Sequence, residues 1–571
     1  MASTPTQTRL GADAVADAFE RHGITRLYVF PGGTIAPIFV AALSRGIEIF
    51  TARHEQGAGY SALAAARLSG TPQVAMVTSG PGVTNIVTCV ADAYFDSTPL
   101  VVITGQVGTG DMRGTLPVRQ RGFQEVDTLA LMAPITKEAI LPRHPDELAD
   151  AVERAFRIAG EGRPGPVVLD IPADIQRGTI SEDHPMTYRA PARPEPDAGV
   201  LDEMADAIAG AQRPVIIAGQ GVLLAGAQAE LRRLATARGI PVSQSLLGLG
   251  AFPTDHELAL GYHGHTGNQA AGLAIHHADV VLVVGSRLDL RQTGSEVNSF
   301  AEGGRVLRVD LDSAELDYSR IRTDLGVLGD AREVLGELET RLAARPNAEI
   351  SAWRAQVDAW RDEHALRWDN GGLLKPQHVI TTANRMTAGE DVIVVTGVGS
   401  HQQWVARHFD FDHPRRALLT SGGHGAMGYD LPSAVGAAMN NPDRRVICFV
   451  GDGSLQINIQ ELAAIVEQKL AVKIVVLDNH RLGIVSQFQL INWEDDPTCG
   501  KKWNPDFAAI ARAYGIPAWT VEAAEDVEGA LRESFDTPGP TLVHCLVDPV
   551  EDIVPMLLAG QTMAAMWSGP E

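Results

Sequence analysis

The sequence predicts an α/β protein made of three doubly wound, parallel-sheet domains, and three observations lead there. Short runs rich in Val and Ile, at residues 27–30, 74–77, 100–103 and 167–169, alternate with amphipathic stretches of helical length. That alternation marks strands buried between covering helices. The chain has 571 residues, 45% of them hydrophobic, which is globular composition and far too long for one ordinary core. Finally, three apolar runs end in tight glycine turns that lead into helical patterns. Such turns offer backbone N–H groups and a helix start to a phosphate-bearing ligand.

Taken in order, the first domain covers residues 8–185. Its strand at 47–50 precedes a small-residue helix at 57–66, and its run from Val74 to Gly82 leads into a helix at 83–94. A Pro-rich stretch from Arg189 to Asp197 is read as a linker. The middle domain, 198–342, carries the turn from Ile216 to Gly221, and a second linker is placed at 343–347. The third domain, 365–550, holds the run from Val446 to Ser454, a helix at 460–468 and a strand at 472–477. The first and third domains share a local pattern, a weak internal echo without a fixed period.

Charge and cysteine content exclude several functions. Lys and Arg number 47 against 70 Asp and Glu, a formal net charge of -23, so the molecule repels nucleic-acid backbones and anionic lipid. The four cysteines, Cys89, Cys448, Cys499 and Cys545, have neither disulfide-framework nor zinc-site spacing. No secretory h-region opens the chain and no apolar run is long enough to span a membrane. A cytoplasmic protein is expected.

Chemistry gathers at Gly451-Asp452-Gly453-Ser454 and at Asn479, 27 residues beyond Asp452 at the end of an apolar strand. A carboxylate and an amide oxygen from strand ends suit Mg²⁺, a hard cation that keeps part of its shell for a diphosphate. The glycines let backbone approach those phosphates. Alone, Gly-Asp-Gly is an ordinary turn; the strand context and the spaced Asn raise it above one.

This segment resembles the cofactor motif of thiamine diphosphate (ThDP) enzymes, in particular the acetolactate synthase group. Arg53-His54-Glu55, the stretch from Thr78 to Asn85, Thr104-Gly105-Gln106-Val107, Phe123-Gln124-Glu125, Gly397-Val398-Gly399-Ser400-His401 and Gly425-Ala426-Met427-Gly428 match in order over nearly the whole chain. The resemblance implies pyrimidine-binding, central flavin-type and diphosphate-binding domains. It implies Asp452, Asn479 and the carbonyl of Arg481 as Mg²⁺ ligands, with Val398, Gly399, His401, Gly453 and Ser454 along the diphosphate. Gly425 and Met427 would lie under the bend between the cofactor rings, and Glu55 against the aminopyrimidine, promoting the tautomer that deprotonates the thiazolium carbon C2. Phe123, Gln124 and Lys137 complete the implied catalytic set. In the middle domain Gly219, Gly221, Arg287, Arg291 and Asp310 match FAD-binding positions. A glycine turn or a strand-end Asp taken singly is ordinary in any α/β domain. Ser400 departs from the Gln common in the family.

ThDP chemistry begins with loss of CO₂ from a 2-keto acid and storage of the two-carbon carbanion on the cofactor. The main reading is a carboligase that decarboxylates pyruvate and transfers the two-carbon unit to a second 2-keto acid. Arg291 matches the arginine that meets the acceptor carboxylate, a guanidinium being well shaped for it. Leu290 and Phe488 depart from the family's Asp and Trp, and an insertion after Val107 brings Arg113, Arg119 and Arg121. That insertion is either a solvated loop or a site for a larger anionic acceptor. Transfer to a keto sugar or other ketone, simple keto-acid decarboxylation, and a cofactor-binding regulator without turnover stay open as alternatives. In the family the ThDP contacts come from two chains, so a homodimer or homotetramer is expected; a separate regulatory subunit is left open.

Overall fold

The computed structural model describes residues 9–181, 188–190, 192–369 and 371–569. Residue 8, residues 182–185 at the edge of the first expected domain, and Pro191 in the first expected linker lie outside the described residues. The chain forms two compact units. One comprises Met1–Pro191, Ser421–Asp443 and Ser454–Val472, the other Ala192–Thr420, Arg444–Gly453 and Lys473–Glu571.

The first unit is built on β1 (Arg26–Val29), β2 (Glu48–Thr51), β3 (Gln73–Val77), β4 (Leu100–Gln106), β5 (Glu138–Ile140) and β6 (Pro166–Pro172), in spatial order β2-β1-β3-β4-β6-β5. Neighbouring strands all run parallel. The turns that follow the strands therefore collect along one edge, where open α/β sheets bind ligands. Strand period decides which residues face which layer. Val74 and Met76 of β3 share a core with Val15 and Phe19 of helix Gly11–Arg21 and Val152 and Phe156 of helix Leu148–Gly160. Helix Glu55–Ser69, mostly Ala, Gly and Ser on its buried face, packs closely on helix Asp430–Asn440. A Cβ on Gly436 would stand 2.1 Å from the Ser61 carbonyl oxygen, and the Ser61 hydroxyl donates to the Pro432 carbonyl at 2.9 Å.

The second unit carries two sheets. The middle one contains β7 (Pro214–Ala218), β8 (Val242–Gln244), β9 (Ala259–Tyr262), β10 (Val280–Val284), β11 (Arg305–Asp310) and β12 (Leu325–Leu328), in order β12-β11-β10-β7-β8-β9. The other contains β13 (Val392–Thr396), β14 (Arg416–Leu419), β15 (Arg445–Gly451), β16 (Val472–Asp478), β17 (Ala518–Val521) and β18 (Thr541–Leu546), in order β14-β13-β15-β16-β18-β17. Numbered from its own first strand, this last sheet repeats the order of the first, so the echo in the sequence is a shared topology. The fold class is the one expected.

The stretch at 343–347 does not end the middle domain. Helix Ser351–Glu363 follows it and buries Trp353 and Val357 in the core under β10 and β11, the Trp353 indole donating to the Pro214 carbonyl at 3.1 Å. An Ala- and Pro-containing break in periodicity marks only the turn between two helices of one domain. The four thiols are buried and form no disulfide among the described residues. Among the described residues no helix is long and apolar enough to cross a membrane.

Candidate active site

In the first unit, Glu55 opens helix Glu55–Ser69 and is 4% exposed. His54 caps the helix, its Nδ1 accepting from the Gln56 amide at 3.1 Å, and the Glu55 carboxylate accepts from the Asn85 side chain at 3.0 Å. Asn85 lies in the early turns of helix Pro81–Phe95, which starts at the Gly80 turn after β3. Gly80 has φ +61°, and a Cβ there would stand 2.9 Å from Cβ of Gln124. Glycine thus lets Gln124 close on the turn, with Gln124 itself at φ +65° and Phe123 85% exposed.

The insertion folds onto Glu125, whose carboxylate accepts from the amides of Arg113, Arg121 and Gly122. Burial raises the Glu125 pKa, but those three N–H groups outweigh it and leave the carboxyl below its ordinary range. Arg113 pairs with Asp127 at 3.7 Å, and Arg119 and Arg121 are exposed.

Met427 is half-buried between Gly425 at φ +74° and Gly428 at φ +79°. The Ser421 hydroxyl accepts from the Gly425 and Ala426 amides at 3.0 and 3.1 Å. The Ser454 hydroxyl accepts from Gly428 at 2.8 Å and donates to Asp430 at 2.6 Å, while Asn458 donates to the Gly428 carbonyl at 2.7 Å.

In the second unit, Asp452 follows β15 and Asn479 follows β16, neighbouring strands of one sheet. Both side chains are buried. Burial, then the charge of Asp478, pushes the Asp452 carboxyl up to about 7. The Asn504 amide donates to Asp452 at 2.6 Å and to Asp478 at 2.8 Å. Buried oxygens crowded by a second negative charge fit a hard dication, which would relieve the repulsion. The Arg481 backbone amide turns back to donate to the Asn479 side-chain oxygen Oδ1 at 3.2 Å.

His401 is wedged between two turns, its Nδ1 2.9 Å from where a Cβ on Gly399 would lie and 2.8 Å from one on Gly451. A Cβ on Gly483 would sit 2.6 Å from the Ser400 hydroxyl and 2.7 Å from the Asn479 amide nitrogen. These glycines let Ser400, His401, Asn479 and the Gly453 turn converge. Val398, half-buried, comes from the same turn as Gly399.

In the middle sheet the strand order reverses between β7 and β10. There Gly219 and Gly221 meet Gly285, with a Cβ on Gly219 only 2.1 Å from the Gly285 carbonyl oxygen. Close backbone approach is the immediate reason for glycine at both positions. Arg287 pairs with Asp289 at 3.3 Å, and Asp310 accepts from the Asp312 amide at 3.0 Å. Arg291 is exposed; its carbonyl accepts from the His265 amide at 2.6 Å, and the His265 ring lies 5.2 Å from that of Phe488.

Lys137 stands apart from the others. Its amide donates to the carbonyl of Pro166, the first residue of β6, and its ammonium donates to the carbonyls of Ile158 and Glu161 near the end of helix Leu148–Gly160. It therefore lies at the start of β5, on the far edge of the sheet from β2 and at the opposite end from Glu55. The expectation of a catalytic lysine is corrected to one that ties a helix end to a sheet edge.

No sequence pattern singles out Asn85 as a partner of Glu55, nor Asn504, Asp478 or Glu461. Glu461 accepts from the Arg53 amide at 2.9 Å and fills the space a side chain on Gly57 would take. Burial first, against that amide, pushes its carboxyl up to about 7. Among the described residues no three or more His, Cys, Asp or Glu side chains cluster as metal ligands, so any cation site here rests on amide and carbonyl oxygens as well.

Family models agree with this architecture along the chain. Residues 9–131 match the N-terminal TPP binding domain of thiamine pyrophosphate enzymes, 201–338 their central domain and 397–545 their C-terminal TPP binding domain. The chain is 38% identical to the acetolactate synthase isozyme 1 large subunit of Escherichia coli, covering 99% of each. It is 38% identical to a probable chloroplastic acetolactate synthase 2 of Oryza sativa, over 97% of this chain and 85% of that one. With the acetolactate synthase large subunit of Corynebacterium glutamicum it shares 36% identity, over 98% and 90%.

Proposed function

The chain belongs to the thiamine pyrophosphate enzymes and is an acetolactate synthase-like transferase, and from that premise we propose that it decarboxylates pyruvate and passes the two-carbon unit to a second 2-keto acid, with Mg²⁺ and FAD bound beside ThDP. When bound, ThDP supplies the electron sink that holds the two-carbon carbanion after CO₂ leaves. Asp452, Asn479 and the Arg481 carbonyl hold Mg²⁺ in this reading, and Val398, Gly399, His401, Gly453 and Ser454 cradle the diphosphate. Glu55 exchanges a proton with the pyrimidine ring, Gly425 and Met427 support the cofactor bend, and Phe123 and Gln124 face the reacting end. Gly219, Gly221, Arg287, Arg291 and Asp310 serve FAD at the strand-order reversal, where doubly wound sheets hold dinucleotides. The expected domain limits near 8–185, 198–342 and 365–550, with helix Ser351–Glu363 added to the middle domain, suit these roles.

One observation favours a keto-acid acceptor. Arg291 and Phe488, distant in sequence, both adjoin His265, the first through its backbone and the second through its ring. A guanidinium beside an apolar wall is what a short 2-keto acid needs. Arg291→Ala should leave pyruvate-dependent CO₂ release nearly unchanged while removing acetolactate, a loss of roughly 2 to 5 kcal/mol for a charge pair buried on binding. Mass analysis of products from pyruvate alone and with candidate acceptors checks this; full acetolactate yield from the variant would refute it.

A second reading draws on the arginine loop, which is folded on Glu125 beside Phe123 and Gln124. If that loop holds the phosphates of a sugar-linked acceptor, neutralising Arg113, Arg119 and Arg121 together spares acetolactate formation and raises KM for such an acceptor only.

A further inference from the structure

Asp96 closes helix Pro81–Phe95 and is completely buried. Both of its carboxylate oxygens are used by the loop that leads to Met427: Oδ2 accepts from the Gly422 amide at 2.9 Å and Oδ1 from the Gly423 amide at 2.7 Å. Hydrogen bonds to a carboxylate are about twice as strong as neutral ones. Residue 423 must be small for this grip, since a Cβ there would stand 2.9 Å from the Phe95 Cβ and 3.0 Å from Asp96 Oδ1. The next residue, His424, stacks its ring on Phe95 at 5.8 Å and 15°. Behind Asp96 stands Arg67, its side chain 8% exposed and 3.7 Å from Oδ2. Asp92 lies one helical turn back, its carboxyl held well above the usual range by burial and then by Asp96.

The loop needs such an anchor. Residues 422, 423, 425 and 428 are all glycine, each free to roam when unfastened, so ordering the loop only on binding would subtract from cofactor affinity. We propose that Asp96, backed by Arg67, is a positioning residue that presets the Met427 loop before any cofactor arrives, acting through the Gly422 and Gly423 amides. The proposal rests on the reading of Met427 as a cofactor contact.

The test uses the full-length chain. In cofactor-free Asp96→Asn, which loses the charge and one acceptor, amide hydrogen exchange over residues 421–428 should speed up about 10-fold while β15 keeps the wild-type rate. The dissociation constant for ThDP at saturating Mg²⁺, measured by calorimetry, should rise about 10-fold, with kcat at saturating ThDP within about 2-fold of wild type. Ser421→Ala removes the acceptor of the Gly425 and Ala426 amides and should shift both readouts the same way; it carries the test if Asp96→Asn does not fold. Wild-type exchange across the loop in a folded variant overturns the anchor, and so does faster exchange with unchanged ThDP affinity. Met427→Ala separates the two ideas, because it should weaken ThDP without changing loop exchange. Unchanged affinity in that variant defeats the Met427 reading and leaves the exchange data to decide the anchor.

Discussion

A carboxylate held by one amide and shut away from water is useful to a base only while it can ionise. In Glu55→Gln the Asn85 contact can be kept in either amide orientation, so the fold and cofactor affinity should survive. Proton exchange at C2 of bound ThDP, followed by NMR, should slow by about 10² or more; exchange at the wild-type rate would remove Glu55 from its role. Asp452→Ala should instead abolish binding of ThDP with Mg²⁺, since that ion tolerates little departure from octahedral oxygen ligation, and calorimetry giving an unchanged affinity would count against it. Asp452 and Asn479 stand out in the sequence as polar residues where apolar strands end, whereas Glu55 is singled out by the family resemblance alone. Asn504 does not stand out, being 52 residues from Asp452 with no pattern joining them. Lys137 failed for a related reason: sequence order says that a residue borders a strand, but not which end of the sheet its partners occupy.

Strands and helices were easier to read than their partners in space. The runs at 74–77, 100–103 and 167–169 became β3, β4 and β6, because β-branched runs buried on both faces have few other homes. What period alone could not show is how closely two helices approach. Gly436 is the clearest case: its missing side chain is matched by a backbone carbonyl, which cannot swing away. Gly436→Ala should destabilise the first unit by about 1 to 3 kcal/mol through overpacking, read from denaturant midpoints at constant m-value. A buried acid at the end of β6 adds a pH effect. Burial raises Asp170 to about 6 despite hydrogen bonds from Thr104 at 2.6 Å and Gln106 at 3.0 Å. With the folded value above the unfolded one, the native state holds the proton more tightly, and this contribution, full below pH of about 4, is lost as pH rises through about 6. Relative to wild type, Asp170→Asn should therefore gain on the order of 2 to 3 kcal/mol between those limits; parallel stability curves would contradict it.

For the whole molecule, the repeated strand order of the first and last sheets could be sensed in the sequence only as two similar glycine turns, because topology lies in connections and not in motifs. We expect the smallest active species to be a dimer in which Glu55 of one copy serves the cofactor held by Asp452 of the other. Mixing inactive Glu55→Gln with inactive Asp452→Ala should then restore about a quarter of wild-type activity, since half of randomly paired dimers have one intact site of two. No recovery after confirmed subunit exchange would refute shared sites. Helix Pro81–Phe95 gives this arrangement a mechanical side. It touches Glu55 through Asn85 near its start and the Met427 loop through Asp96 at its end, a separation of about 16 Å along the axis. A rod of that length tilted by about 4° moves its far end by about 1 Å. Adjustments at Glu55 would therefore reach the loop as leverage, so a substitution made at one end of the helix should be sought in measurements at the other.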